Sequence, residues 1–168
     1  MKSTGEVLGL STDFNEALLK GLIASGMNPN RNSGVLVTVA NQNKAEVIPI
    51  AKKLVELGYK LYATAGTGKT LAENGLDVKV VGKLHDCDDI MDLIKSREVR
   101  IIINTPTKGR NSDRAGFKIR RLAVEQGANC FTSLDTVNAF VRAMSLGKVD
   151  KDLNVISLQE VDEINERN

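Results

Sequence analysis

Residues 63–70 read Ala-Thr-Ala-Gly-Thr-Gly-Lys-Thr, and they decide how the rest of the chain is interpreted. The preceding run 60–62, Lys-Leu-Tyr, is typical of a strand end, and the following run 71–74, Leu-Ala-Glu-Asn, indicates one or two helical turns that stop at Gly75. A glycine- and threonine-rich loop at this junction exposes backbone N–H groups at the positive end of a helix. The stretch therefore predicts an anion-binding loop.

On both sides of this loop, short apolar runs alternate with amphipathic segments. Strands are expected at 35–40, 61–63, 78–81, 100–104 and 129–131, with helices between them. Continuous apolar runs are typical of strands buried on both faces, and short connections between alternating strands and helices favour parallel pairing. The fold class is therefore α/β: a three-layer sandwich in which a five-stranded parallel sheet carries helices on both faces.

The N-terminal part of the chain predicts a separate helix. Asp13 and Glu16 have the spacing of a capping box. We expect the apolar face of this helix to consist of Phe14, Ala17, Leu18, Gly21 and Leu22. The polar stretch 27–33 is typical of a linker, so residues 1–32 are interpreted as a lead-in with the first helix and residues 33–168 as the main domain.

Composition excludes several classes of protein. The net charge of the 168 residues is +2, and only 4% are aromatic, with no Trp, which disfavours base stacking on single-stranded nucleic acid. Two distant cysteines and one histidine do not make a metal site. Cys87 and Cys130 are interpreted as reduced thiols, and no apolar run reaches the length of a membrane span. We expect a cytoplasmic protein without nucleic-acid or membrane partners and without a metal.

Ligands of parallel α/β sheets bind beyond the carboxyl ends of the strands. The loops expected at that edge carry five cations, namely Lys44, Lys69, Lys83, Lys108 and Arg110. Together with the glycine- and threonine-rich turns, they predict a phosphate ligand. The alternative for each individual cation is an ordinary solvated side chain.

Residues 63–70 also match a relaxed nucleotide-binding P-loop, in which Lys69 would reach phosphates and Thr70 would bind Mg²⁺. Three features disfavour this interpretation. Ala63 replaces the first glycine, the helix expected after Thr70 is too short, and the strand 100–104 ends in Asn104, where the metal would need an Asp.

Six motifs spread over the chain carry a family resemblance. They are residues 1–7, Ala63-Thr64-x-Gly66-Thr67, Lys83-x-His85, Ile102-Ile103-Asn104-Thr105, Arg120-Arg121 and residues 155–160. The chain resembles the C-terminal regulatory domain of the carbamoyl phosphate synthetase large subunit. That family has a fold similar to methylglyoxal synthase, and the resemblance implies that this chain is a piece of a longer one.

The resemblance implies a domain that binds allosteric effectors and has no chemistry or cofactor of its own. The effectors implied are the nucleotides UMP, as inhibitor, and IMP, as activator. The parent enzyme would be a glutamine-hydrolysing, ATP-dependent ligase that makes carbamoyl phosphate for pyrimidine and arginine synthesis. Its implied cofactors are ATP, Mg²⁺ and K⁺, and its implied partners are the synthetase domains of the same subunit and a glutaminase small subunit.

The resemblance also implies the residues that hold the effector. They are Thr38, Lys44, Thr64, Gly66, Thr67, Lys83, Asn104 and Thr105, with Lys108 and Arg110 as additions. Thr132 matches one contact of the family's ornithine site, although Cys130 replaces a neighbouring aromatic residue.

The alternative function is methylglyoxal synthase acting on dihydroxyacetone phosphate, which needs a carboxylate base beside the phosphate. The sequence 104–107, Asn-Thr-Pro-Thr, has no carboxylate. Asp86 or Asp88 could supply one, but the role expected for either is to cap the next helix. His85 could act as an acid or only orient its loop.

Overall fold

The computed structural model describes residues 5–27, 33–82, 88–106, 115–157 and 159–160. Its strands are β1 (Gly34–Thr38), β2 (Lys60–Ala63), β3 (Lys79–Val80), β4 (Val99–Asn104) and β5 (Asn129–Phe131). Its α-helices are α1 (Phe14–Ala24), α2 (Lys44–Glu56), α3 (Ala65–Glu73), α4 (Asp88–Lys95), α5 (Ala115–Glu125) and α6 (Leu134–Ser145), with 3-10 turns at Asn41–Asn43 and Asp150–Asp152. None of these helices has the length and apolarity needed to span a bilayer.

The chain divides into two compact units. One is Asn30–Asn138, which contains the sheet, and the other combines Met1–Pro29 with Ala139–Asn168. The predicted boundary at residue 32 stays a prediction.

The sheet has the order β3-β2-β1-β4-β5, and all of its neighbouring strands are parallel. From β1 the chain proceeds outward through β2 to β3, and then returns to the other side of β1 for β4 and β5. Because right-handed crossovers are obligatory in practice, this reversal places α2 and α3 on one face and α4 and α5 on the other. The predicted three-layer, five-stranded parallel fold is confirmed.

Side-chain packing separates the two faces. Leu36, Tyr62 and Ile102, from three adjacent strands, form one buried cluster with residues of α4 and α5. Their neighbours Val35 and Val37 point to the opposite face and are also fully buried. Burial on both faces explains why β1 reads as a continuous apolar run, since each such side chain contributes roughly 1.5–3 kcal/mol.

Helix α2 contains Pro49 in its second turn. The helix begins five residues before this proline, at Lys44, so Pro49 does not mark its start. Pro49 cannot donate to the carbonyl of Ala45. Burial of Val47 and Leu54 on the face of α2 that turns inward offsets this loss.

Helix α1 begins as predicted, because the Asp13 carboxylate accepts a hydrogen bond from the Glu16 N–H at 2.8 Å. The predicted apolar face is wrong at Phe14 and omits the residues that are most buried. Phe14 is 71% exposed, whereas Leu19 and the charged Glu16 are buried. Periodicity could not anticipate a buried carboxylate, because the groups that stabilise it come from more than a hundred residues further along the chain.

The partners of Glu16 lie within the same unit. Lys148 Nζ donates to Glu16 Oε2 at 2.9 Å, and the Asn154 N–H donates to Oε1 at 3.1 Å. These two hydrogen bonds, with Lys148 dominant, lower the pKa of Glu16 from 4.5 to about 2. The ionised carboxylate therefore ties the C-terminal segment to α1.

We predict that this carboxylate makes stability depend on acid pH. Because the folded pKa is below the unfolded one, its contribution is complete above pH 4.5 and is lost as the pH falls toward 2. Glu16→Gln should unfold at a lower Tm than the unmutated chain at pH 7. The difference in Tm should shrink between pH 4.5 and 2. The exposed Glu56→Gln is the control. A Tm difference that stays constant over this range would contradict the assignment.

Gly34 begins β1 at a point where a side chain has no space. A Cβ there would lie 2.6 Å from the Tyr62 ring and 2.8 Å from the Glu98 carbonyl oxygen. Two contacts hold the ring in place. The Tyr62 hydroxyl donates to the Glu98 carboxylate, and this hydrogen bond is the main reason that the pKa of Tyr62 rises to about 12. Lys79 Nζ lies 5.5 Å from the ring centroid. Tyr62 therefore occupies the space that a β-carbon would need.

We predict that Gly34→Ala destabilises the protein by about 1–3 kcal/mol, the usual cost of overpacking. The matched control is Gly21→Ala in α1, where the nearest atom to an added Cβ is 4.0 Å away. The control should be neutral or more stable by up to about 1 kcal/mol. Urea unfolding measures both, and equal stabilities of the two variants would contradict the packing described for Gly34.

Candidate functional site

The strand order reverses between β1 and β4, and this reversal opens a crevice beyond their carboxyl ends. Thr38 is the last residue of β1 and pairs in register with Asn104, the last residue of β4. On the other side of β1, Val37 pairs with Ala63, so that Thr64 follows at the same edge. Three of the residues expected to hold the effector thus lie at the ends of adjacent strands.

Four threonines at this edge are named the threonine rim: Thr38, Thr64, Thr67 and Thr105. Thr64 Oγ1 lies 3.4 Å from Thr38 Oγ1. Thr67 Oγ1 accepts the Val39 N–H at 3.4 Å, and Thr105 Oγ1 accepts the Ala40 N–H at 2.8 Å. Thr64 is the donor to Thr38. Because a hydroxyl that accepts one hydrogen bond still carries a proton, Thr38, Thr67 and Thr105 can also donate to a ligand.

The expected loop at 63–70 is wrong in part, because α3 begins at Ala65 and residues 65–70 are helical. Gly68 packs closely against Val80, since an added Cβ would lie only 2.7 Å from Val80 Cγ2. This packing keeps the helix continuous at a glycine. Thr64 is the N-cap, in extended conformation, and no side chain caps this end. The first backbone N–H groups of α3 therefore replace the expected glycine loop as the candidate anion site.

Of the five cations expected at this edge, the described residues include two. Lys44 Nζ lies 3.3 Å from the position that a Cβ of Gly66 would occupy, so its ammonium group stands over the first turn of α3. Lys69 instead has a side chain that is 78% exposed, with Nζ 3.9 Å from Glu73 one turn further on. Lys69 is thus a solvated helix residue, which removes the cation that a P-loop would need.

Arg120 is a residue that the site prediction missed. Its Nη1 donates to Oδ1 of Asn104, which is only 3% exposed. Gly116, one turn before Arg120 in α5, lies directly against the same amide. The spacing Gly116-x-x-x-Arg120 could have indicated this contact, because a helical side chain points back over the preceding turn and a glycine there leaves room for a neighbour.

The remaining predicted residues divide into two groups. Lys83, Lys108 and Arg110 lie outside the described residues, as do His85 and Asp86. Thr132 follows β5, at the far side of β4 from β1, and is exposed. Because Phe131 pairs with Ile103, Thr132 lies at the same edge of the sheet as Asn104. Its ornithine contact stays a prediction.

Cys130 lies in β5 in register with Ile102 and is a free thiol. Burial raises its pKa, and the nearby Arg120 guanidinium only partly opposes this shift. Within the part of the chain that the structure describes, no three His, Cys, Asp or Glu side chains are grouped to hold a metal ion.

A groove of about 380 Å³ lies beside edge strand β3 and α4, and its lining residues include none of the rim. It is lined by Lys79, Val80, Val81, Asp89, Asp92, Leu93, Ser96 and Glu98. Three carboxylates against one lysine make this groove unsuited to an anion. The rim is therefore the better phosphate site among the described residues.

Comparison with known families agrees with this architecture. A family model described as an MGS-like domain matches residues 46–132, more than half of the chain and all of the rim except Thr38. The chain belongs to the family of MGS-like domains. The resemblance inferred from the sequence is thereby confirmed at the level of the family.

This MGS-like domain is also similar to longer proteins. It is 46% identical over 162 residues to the carbamoyl phosphate synthase large chain of Clostridium botulinum (strain Eklund 17B / Type B). The match covers 94% of this chain and 15% of that protein, so the chain spans a small part of its relative's length. A solved structure of methylglyoxal synthase from Elizabethkingia anophelis NUHP1 has a TM-score of 0.55 at 18% identity, covering 66% of this chain and 78% of the other, which confirms the fold.

We predict that Thr105→Val destabilises this MGS-like domain by about 1–2 kcal/mol, because the Ala40 N–H loses its acceptor. Thr105→Ser keeps the hydroxyl and is the matched control. Chemical unfolding and hydrogen exchange at the Ala40 amide provide the measurements. Equal exchange protection in the two variants would show that Thr105 does not hold this turn.

Proposed function

We propose that this chain is the regulatory domain of a carbamoyl phosphate synthase large chain and binds a nucleoside monophosphate without transforming it. The observation that carries the proposal is the convergence of hydroxyl, backbone N–H and ammonium donors at the β1–β4 crevice. The similarity to a carbamoyl phosphate synthase large chain over 94% of this chain supports the parent enzyme.

The donors at the crevice suit a phosphate monoester. Helix geometry leaves the N–H groups of residues 65–67 outside the helical ladder, and the helix dipole adds partial positive charge there. Lys44 supplies a full positive charge beside Gly66. Gly66 is exposed, so a phosphate can approach the backbone without meeting a β-carbon.

A binding role fits this set of residues better than the methylglyoxal synthase alternative. Proton abstraction from a triose phosphate requires a carboxylate beside the phosphate. The rim, Lys44, Gly66, Asn104 and Arg120 supply hydroxyls, amides and cations, and none of them is a carboxylate. Among the described residues of this edge the donors occur without a base, and such a set suits holding a phosphate ester intact.

The proposal includes the setting that the parent enzyme would provide. UMP and IMP are the effectors proposed, with the synthetase domains and a glutaminase small subunit as partners in the cytoplasm. ATP, Mg²⁺ and K⁺ would serve the parent enzyme and not this domain. Control of the distant reaction requires the effector to bind one state of the parent more tightly than another, since equal affinity for both shifts nothing.

We predict that UMP or IMP raises the Tm of the isolated chain. At ~100 times its Kd a ligand adds about 2.7 kcal/mol, which is a shift of roughly 5–10 °C for a domain of this size. Calorimetric titration of both nucleotides and of dihydroxyacetone phosphate, with an assay for phosphate release from the triose phosphate, separates the two functions. Catalytic release of phosphate would establish the synthase alternative, and no binding of either nucleotide would overturn the effector proposal.

A pair of lysines provides the matched control for that titration. Lys44→Ala should weaken nucleotide binding by about tenfold or more, because a charge-assisted contact to the phosphate is lost. Lys69→Ala removes the same charge from an exposed position in α3, one turn after Gly66, where Lys69 Nζ lies near Glu73. This variant should bind nearly normally. Equal losses in both variants would mean that only net charge matters and that the site is misplaced.

A further inference from the structure

Arg120 and Asn104 are in direct contact at the carboxyl end of β4. Arg120 Nη1 donates to Asn104 Oδ1, and Asn104 is almost completely buried at the end of β4. A guanidinium group can only donate. It therefore selects the oxygen end of the amide, and the Nδ2 end of Asn104 faces another direction.

Gly116 limits the amide from a second side. A Cβ at Gly116 would lie 3.3 Å from Asn104 Oδ1 and 3.4 Å from Nδ2, so the amide lies flat against the start of α5. The same Cβ would be 3.3 Å from Arg120 Nη1. One turn of α5 thus supplies both the surface on which the amide lies and the donor that sets its orientation.

Asn104 occupies the place where orientation matters for binding. It pairs in register with Thr38, and the side chains of residues paired in this way point to the same face of a parallel sheet. Thr105, the next residue, holds the turn after β1 through its hydroxyl. The Asn104 amide is therefore a neighbour of the threonine rim, and its Nδ2 hydrogens are the donors that it can offer there.

We propose that Arg120 is a positioning residue that holds the Asn104 amide so that Nδ2 donates to an acceptor oxygen of the phosphorylated ligand. This inference rests on the proposed function. It assigns the donor to Asn104 and the orientation to Arg120, and it gives Arg120 no direct role as a counter-charge for the phosphate.

The first experiment is a calorimetric titration of UMP and IMP into four variants of this chain. Arg120→Ala should weaken binding about tenfold, and Arg120→Lys should recover part of the loss. Arg121→Ala is the control, because it removes the same charge from the same helix, where the side chain is 72% exposed and its Nε lies 2.9 Å from Glu125. Asn104→Asp should fold at least as stably, since the carboxylate still pairs with Arg120, yet should lose binding because it no longer donates.

The decisive comparison is the double variant. In an Asn104→Ala background, Arg120→Ala should cost no further affinity, because it has no amide left to position. A further tenfold loss would show that Arg120 acts through its own charge, and this outcome would overturn the proposal.

A ligand-free measurement separates this proposal from the function on which it rests. By NMR relaxation, the side-chain amide of Asn104 should be rigid in the unmutated chain and in Arg121→Ala. It should be mobile in Arg120→Ala. An amide equally rigid in Arg120→Ala would overturn the positioning role whatever the ligand results. The unmutated chain could fail to bind nucleotides while the Asn104 amide still loses its order in Arg120→Ala. That result would overturn the proposed function and the role of Asn104 as a donor to the ligand. The positioning contact between Arg120 and Asn104 would remain.

Discussion

The chain that leaves β1 must satisfy two backbone N–H groups at the point where the strand order reverses. Val39 and Ala40 have passed the end of the sheet and cannot use its ladder, and an unpaired backbone donor at a partly buried position is costly. Hydroxyls from the two neighbouring strand ends accept these hydrogen bonds, Thr67 on the β2 side and Thr105 on the β4 side. The rest of the crevice depends on this arrangement, because it fixes the distance between the two sides.

This constraint explains why the edge is rich in threonine. A threonine hydroxyl can accept from the turn and still donate its own proton, so one side chain is able to serve both the fold and the proposed ligand. Thr67 and Thr105 are buried, and the branched side chain of threonine has few rotamers, which keeps both hydroxyls in place. A site built in this way is already ordered before a ligand arrives, and binding then costs less conformational entropy.

Much of this organisation could be predicted from local patterns in the sequence. The bounds of β5, the capping of α1 by Asp13 and the parallel sheet follow from apolar runs and from capping chemistry that act over a few residues. Three features could not be predicted in this way. Residues 65–70 are helical although two glycines disfavour a helix, because packing on β3 outweighs intrinsic propensity. Glu16 is buried because of Lys148, and Arg120 meets Asn104 only once α5 lies over β4, so both depend on contacts between distant parts of the chain.

The donors on the central strands differ from the donors on the helices in how easily they can move. Thr38 and Asn104 belong to the central strands and move only if the sheet moves, since both faces of β1 and β4 are packed. Lys44 and Arg120 reach the crevice from helices α2 and α5, on opposite faces of that sheet. A small shift of either helix would withdraw a cation or release the Asn104 amide while the threonine rim stays intact. An effector that needs all of these donors would therefore favour the helix positions that supply them, and this differential affinity is what allosteric control requires.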